Sequence, residues 1–327
     1  MEFQVKVLIL TFFITVAIAF VVIPILKKLK VGQIERDDGP QSHLKKQGTP
    51  TMGGIMIIFS MIIVCIGLFY YYTKIRMEPE IAKNILPLLF VSIGFGIIGF
   101  IDDFKKLVLK NTKGLSPKAK MLGLLIVAVS YIVYLVYVLN IGTETYIPFA
   151  GIYITMPVWI YIPFAIFVML GTTNAINLTD GIDGLSSSVT TIILTCLTVI
   201  GIIFNVKEVT LFGSALAGAC LGFLLFNLYP AKVMMGDTGS LLLGGAIAAM
   251  ALYLKMPLLL IIIAIVPILE TLSVMIQVLH FKRTGNRIFK MAPLHHHFEL
   301  SGWKENKIVS IFSLVTLVAC IIGIMAI

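Results

Sequence analysis

Seven aspartates stand in this chain of 327 residues, at 37, 38, 102, 103, 180, 183 and 237, and each adjoins a glycine or a second aspartate. In GFIDDFKK, residues 99–106, Asp102 and Asp103 directly end an apolar run. Ionisable groups at such a boundary are costly and usually functional. On a regular helix two adjacent carboxylates cannot face one point, but at a frayed end both can approach a metal or a phosphate. Magnesium takes oxygen ligands, typically one or two carboxylates together with phosphates. Lys105 and Lys106, about one turn on, can neutralise phosphate charge. The bland alternative is a solvated helix end with an (i, i+3) ion pair between Asp103 and Lys106.

Four further segments have the same character. NAINLTDGIDGLSSS, residues 174–188, spaces Asn177, Asp180 and Asp183 three apart with glycines at 181 and 184. It lacks the spacing and closing glutamate of a calcium loop. Glycines at a helix start let backbone N–H groups approach an anion, while amide and carboxylate suit a base or ribose. In MGDTGS, Asp237 precedes Thr238, and the simple reading is a helix N-cap. In APLHHHFELSGW, residues 292–303, His295, His296 and His297 are adjacent and splay apart, which makes a poor tetrahedral zinc cage. Imidazoles at an interface can hydrogen-bond phosphate or sugar near neutral pH. Finally, DDGPQSHLKKQGTPTMGG, residues 37–54, has two turns flanking His43, Lys45 and Lys46, with Thr51 leading into an apolar run.

The elements that must position these residues are membrane helices. Hydrophobic residues make up 59% of the chain and charged ones 13%, far from the balance of a soluble domain. Apolar runs near twenty residues suit helices that cross a bilayer. They predict ten spans, roughly 7–26, 52–72, 85–101, 119–139, 156–174, 185–204, 209–228, 239–254, 257–280 and 308–326, in one all-α membrane domain over residues 1–327. The first, with no small-x-small cleavage site before Lys27, reads as a retained helix. Pro267 and Glu270 lie inside the ninth, as a proline kink with an inward carboxylate or a bent helix opening a groove to lipid. The four cysteines lie singly in apolar runs and read as core or lipid-facing residues. The net charge of +9 suggests either anionic partners or the positive-inside bias of a membrane protein; the second suffices, and no nucleic-acid partner is expected. Lysine and arginine concentrate in the loops after spans one, three and nine, which places those loops in the cytoplasm and both termini outside. On that topology every aspartate falls on the cytoplasmic face.

Taken in this order, DDGPQSHLKKQGTPTMGG, GFIDDFKK, NAINLTDGIDGL, MGDTGS and APLHHHFE resemble the phospho-N-acetylmuramoyl-pentapeptide transferases, within the polyprenyl-phosphate N-acetylhexosamine-1-phosphate transferases. The resemblance spans about Asp37 to Trp303. It implies transfer from UDP-N-acetylmuramoyl-pentapeptide to undecaprenyl phosphate, giving lipid I and UMP with Mg2+ in peptidoglycan synthesis. It also implies a homodimer in the bacterial cell membrane. By motif, Asp237 becomes the magnesium ligand, with Asp102 and Asp103 as catalytic neighbours. Lys46, Thr51, Asn177, Asp180, Asp183, Asn227 and Gln277 fall in the nucleotide or substrate pocket. Lys106 and Lys118 hold phosphates, and His295, His296 and His297 help bind diphosphate or sugar. Met234 stands where some members carry a phenylalanine that stacks on uracil, and offers a soft apolar contact there. A sister activity, transfer of N-acetylglucosamine-1-phosphate, would keep the aspartate motifs and is distinguished by the HHHFE loop.

Overall fold

The computed structural model describes residues 2–29, 48–107, 109 and 114–327. Long apolar runs with few backbone breakers fold as helices, since each peptide group in lipid must find its partner within the segment. The helices are α1 (Phe3–Lys28), α2 (Gly54–Tyr70, extended by a π-turn to Ile75), α3 (Pro79–Leu107), α4 (Pro117–Tyr137) and α5 (Val158–Thr179). They continue with α6 (Leu185–Ile203), α7 (Lys207–Asn227), α8 (Gly236–Tyr253), the short α9 (Leu260–Ile263), α10 (Ile265–Thr284), α11 (Leu294–Glu299) and α12 (Glu305–Met325). Among the described residues, nine of these are long and apolar enough to cross a membrane. α8, the counterpart of the eighth predicted span, is the exception. Its polar first turn, GDTGS, leaves too short an apolar stretch.

α8 is instead the buried centre of the assembly. Every residue from Thr238 to Tyr253 is buried, and the helix packs chiefly on α3 and α5. Apolar contact alone gives helices in lipid little reason to associate, so close approach of small residues does it. Gly245 admits the Phe95 ring of α3, and Gly244 lies against the α5 backbone at Thr173. Gly99 in α3 and Gly54 in α2 both abut the first turn of α8, where any side chain would strike backbone. The start of α8 is therefore wedged between α2 and α3.

Two features depart from the sequence expectation. The ninth predicted span is not one bent helix. A 3-10 turn, Pro257–Leu259, leads into α9, and the chain breaks at Ala264 (φ −104, ψ 28) before α10 begins. Pro267 explains the position, because a proline lacks the N–H and its ring crowds the carbonyl four residues back. That carbonyl, Ile263 O, is met by Cys320 Sγ at 4.0 Å. The second departure is an antiparallel hairpin, β1 (Glu144–Ile147) with β2 (Ile152–Thr155), in the α4–α5 connection. It docks through Tyr146 N–H to Lys255 O at 2.8 Å and the Lys255–Glu144 ion pair at 2.6 Å.

Candidate active site

The first turn of α8 organises the site. A helix leaves its first N–H groups without partners, and here other elements supply carboxylates. Asp180, just past α5, brings its carboxyl near the Gly236 N–H. Asp103, from the last turns of α3, accepts the Asp237 N–H at 3.2 Å and the Thr238 N–H at 2.9 Å. Its Oδ2 also accepts the Thr238 hydroxyl at 2.6 Å. The anion favoured by this helix N-terminus is thus the protein's own. Gly236 makes the approach possible, with φ 72 and no side chain to meet Asp103. Asp237 does not cap α8, so its carboxylate is left to point elsewhere.

It points to Asp102 and two lysines. Lys106 Nζ lies 2.9 Å from Asp102 Oδ2 and 3.1 Å from Asp237 Oδ2. Lys120 Nζ lies 3.1 Å and 2.7 Å from the same two oxygens. Two carboxylates and two ammonium groups therefore form a closed ring. The ion pair on α3 is Asp102–Lys106 at (i, i+4), and not the Asp103–Lys106 pair of the bland reading. Asp102 Oδ1 accepts the Leu115 N–H at 2.7 Å, which pins the start of α4 beside the ring. Asn177 donates to Asp237 Oδ1 at 2.7 Å and to Ser240 Oγ at 2.8 Å. Asp237 is held on both oxygens.

Asp180 borders this ring. Burial, with the carboxylates of Asp237, Asp103 and Asp183 around it, pushes its carboxyl up to about 8. A protonated Asp180 removes one negative charge from a crowded site. Behind its turn, Gly181 lies against the His295 ring. His295 is fully buried, with Nδ1 3.2 Å from Glu270 Oε2.

The remaining predicted residues have varied surroundings. The Thr51 hydroxyl stands beside Gly236. Met234 is buried, and its N–H donates to Pro50 O at 2.7 Å while its carbonyl accepts Gly53 N–H at 2.9 Å. Asn227 accepts the Ser187 hydroxyl and donates to Val233 O, so its amide shapes the α7–α8 connection. Asp183 accepts the Ala231 N–H at 2.9 Å in that same connection and does not join the ring. Gln277 accepts the N–H groups of Ile288 and Phe289, each at 3.0 Å, and bridges α10 to the loop after it. His296 pairs with Glu299 at 2.7 Å, and His297 Nδ1 accepts the Lys290 N–H at 3.2 Å. Lys118 is exposed. Asp37, Asp38, His43, Lys45 and Lys46 lie outside the described residues.

The chain is similar to a broad family and to a narrower one inside it. The profile of glycosyl transferase family 4 matches residues 85–255, the stretch that contains Asp102, Asp103, Asn177, Asp180 and Asp237. A first signature of the phospho-N-acetylmuramoyl-pentapeptide transferases matches residues 46–58, the segment bonded to Met234. A transferase of that name from Acetivibrio thermocellus is 49% identical over 325 residues, covering 99% of this chain and 95% of the relative. Another from Clostridium botulinum is 49% identical over 321 residues, covering 98% and 95%. One from Halalkalibacterium halodurans is 48% identical over 317 residues, covering 97% and 95%. The chain belongs to the phospho-N-acetylmuramoyl-pentapeptide transferase family.

For a member of the transferase family, the structure adds one residue that the sequence reading passed over. Lys120, and not Lys118, closes the ring with Asp102 and Asp237. The signal was present in SPKAK, where Ser116 accepts the Ala119 N–H and Pro117 opens α4. That start places residues two apart on different faces, but which face meets α3 is a tertiary matter. The donor set also fits the magnesium the resemblance implies. Among the described residues no group of three or more histidine, cysteine or carboxylate side chains could cage a metal. Magnesium needs no such cage, since one or two carboxylates with substrate phosphates suffice. Oδ2 of Asp102 and of Asp237 converge on the same two ammonium groups, which is such a pair of hard oxygen donors.

Proposed function

We propose that this chain transfers phospho-N-acetylmuramoyl-pentapeptide from its UDP donor to undecaprenyl phosphate, giving lipid I and UMP for the cell wall. The observation that carries the reading is the ring of Asp102, Lys106, Asp237 and Lys120. The physical problem is to bring a lipid phosphate against a diphosphate, two anions that repel. Lys106 and Lys120, held by the carboxylates, are poised to turn toward the phosphates and lower that repulsion. Asp237, fixed by Asn177, and Asp102 would hold Mg2+, which supplies charge stabilisation on the transferring phosphoryl group. A phosphate monoester has a second pKa of about 6 and is largely dianionic at neutral pH. It attacks without needing a base, and Asp102 serves to orient it. Asp103 acts one step back, by fixing the helix that carries Asp237.

Other parts of the reading have separate support. The loops rich in lysine and arginine favour a cytoplasmic face for the site and both termini outside, in the inner membrane of a bacterial cell. One contiguous apolar core favours a single membrane domain. The homodimer rests on the family resemblance.

The test is a detergent assay with polyprenyl phosphate and either UDP-N-acetylmuramoyl-pentapeptide or UDP-N-acetylglucosamine, with and without magnesium. Magnesium-dependent UMP release from the first donor alone is expected. Release from the second alone would replace the reading with the sister activity. Asp237→Asn is expected to lose about 10³-fold in rate, as when a residue central to transition-state charge is removed. Retention of the full magnesium-dependent rate would remove Asp237 from the metal.

A further inference from the structure

Glu270 and His295 are both fully buried; the family resemblance gives His295 a part in binding diphosphate or sugar and gives Glu270 none. Glu270 sits in α10, just beyond the break at Ala264 and the proline at 267. A carboxylate in such a place is costly unless paired. Its partners both belong to His295. Oε1 faces the His295 N–H at 3.3 Å, and Oε2 lies 3.2 Å from Nδ1. The first contact answers an orphan donor in the opening turn of α11. The second is a close contact without hydrogen-bond geometry, since neither Oε2 nor Nδ1 has a hydrogen-bond partner, and it sets Nδ1 toward the carboxylate and Nε2 to the other side.

On that other side is the Asp180–Gly181 turn. A side chain on Gly181 would collide with Nε2, so the ring packs directly under the turn backbone. Nε2 has no hydrogen-bond partner in this arrangement. The His296 ring covers a further face, its centroid 4.2 Å away. The ring is thus packed between Glu270, His296 and the turn. The turn above it carries Asp180, whose carboxyl lies near the Gly236 N–H at the start of α8.

We infer that Glu270 is a positioning residue for the UDP-sugar donor site, acting through His295 to brace the Asp180–Gly181 turn against α8. The brace ties α10, the helix after the break, to the turn beside the carboxylate–lysine ring. Glu270 does not touch the donor in this account. It sets the height of the turn that the donor meets. This rests on the transferase reading for the nature of the donor, but the brace is a property of the fold.

The experiment is a double-mutant cycle in the full-length protein with Glu270→Ala, His295→Ala and both together, with Glu270→Gln as the conservative variant. Hydrogen exchange over residues 180–184 is read first. Faster exchange in each single variant, with no further increase in the double variant, is expected. Donor and acceptor KM are read next. Each single variant is expected to raise the donor KM by about ten-fold and leave the acceptor KM unchanged, and the double variant to add less than about two-fold. Glu270→Gln retains one acceptor oxygen and should recover part of the loss. Losses that multiply in the double variant, equal shifts in both KM values, or unchanged exchange at 180–184 would overturn the inference. If Glu270→Ala does not fold, the cycle is run with Glu270→Gln. A wild-type protein that transfers from neither UDP-sugar refutes the transferase reading, while the exchange cycle still decides the brace.

Discussion

Asp103 accepts the backbone N–H of Thr238 at 2.9 Å and its hydroxyl at 2.6 Å, so a carboxylate from α3 closes the first turn of α8. Its neighbour Asp102 turns the other way, into the lysine ring. Adjacent aspartates with one motif therefore have two jobs. One fixes the helix that presents Asp237, and the other shares charge with Asp237.

This division makes the two aspartates separable by stability. Asp103→Ala leaves three donors without an acceptor, two backbone N–H groups and one hydroxyl. The expected cost is about 2–3 kcal/mol, read as a lowered unfolding midpoint in detergent. Asp102→Asn keeps its shape and relieves no buried donor of α8, so its midpoint should stay within about 1 kcal/mol of wild type. Both variants should lose activity. Equal destabilisation by the two would refute the division.

Lys118 and Lys120 give a sharper contrast, because they are two residues apart with the same charge. Lys120 Nζ touches both Asp102 and Asp237, whereas Lys118 is exposed. Lys120→Ala should lower the rate by about 10²-fold or more, in line with removal of one charge-stabilising group. Lys118→Ala should stay within about two-fold, the range of an exposed surface change. Steady-state rates at saturating donor are the measurement, and a larger loss at Lys118 contradicts the geometry.

The raised Asp180 carboxyl predicts a pH dependence of stability. In the unfolded chain Asp180 is ionised above its ordinary value of 3.8, while in the fold it keeps its proton up to about 8. Folding therefore takes up a proton between these values, and the stability it contributes is fully present below the unfolded value. That contribution declines as pH rises and is gone above the folded value. Metal-free protein should lose thermal stability between pH 6 and pH 8, a window inside the range about 4 to 8 set by linkage. Asp180→Asn, which carries no titrating proton, should flatten that slope. A slope unchanged in Asp180→Asn would assign the proton elsewhere.

Gly99 tests the wedge at the start of α8. A Cβ there would strike the Asp237 carbonyl group, so Gly99→Ala must separate α3 from α8. Overpacking of this kind costs about 1–3 kcal/mol, and the displaced Asp237 should lower the rate as well. Gly67→Ala is the control, since a Cβ there meets open space. Unfolding midpoints of the two variants that coincide would refute the close approach.

The sequence by itself determined the class of protein and the chemistry at stake. Apolar runs near twenty residues dictate helices because lipid offers the backbone no partners, and among the described residues nine helices are long and apolar enough to span. The aspartate motifs raised the expectation of phosphate chemistry, because carboxylates at a membrane boundary are costly and need a reason. Tertiary structure decided what each residue does there. The motif pointed to Lys118, and only the placement of α4 against α3 brings Lys120 to the ring instead. Asp102 and Asp103 are indistinguishable in sequence, but one faces the start of α8 and the other faces α4. The helix N-cap that was the bland reading of MGDTGS is supplied instead by Asp103, 134 residues earlier, because Gly99 and Gly54 let α2 and α3 reach the first turn. Local patterns fix which residues can carry charge at the boundary. Which charges meet depends on how closely helices approach, and that is set by glycines whose contacts lie far away in the chain.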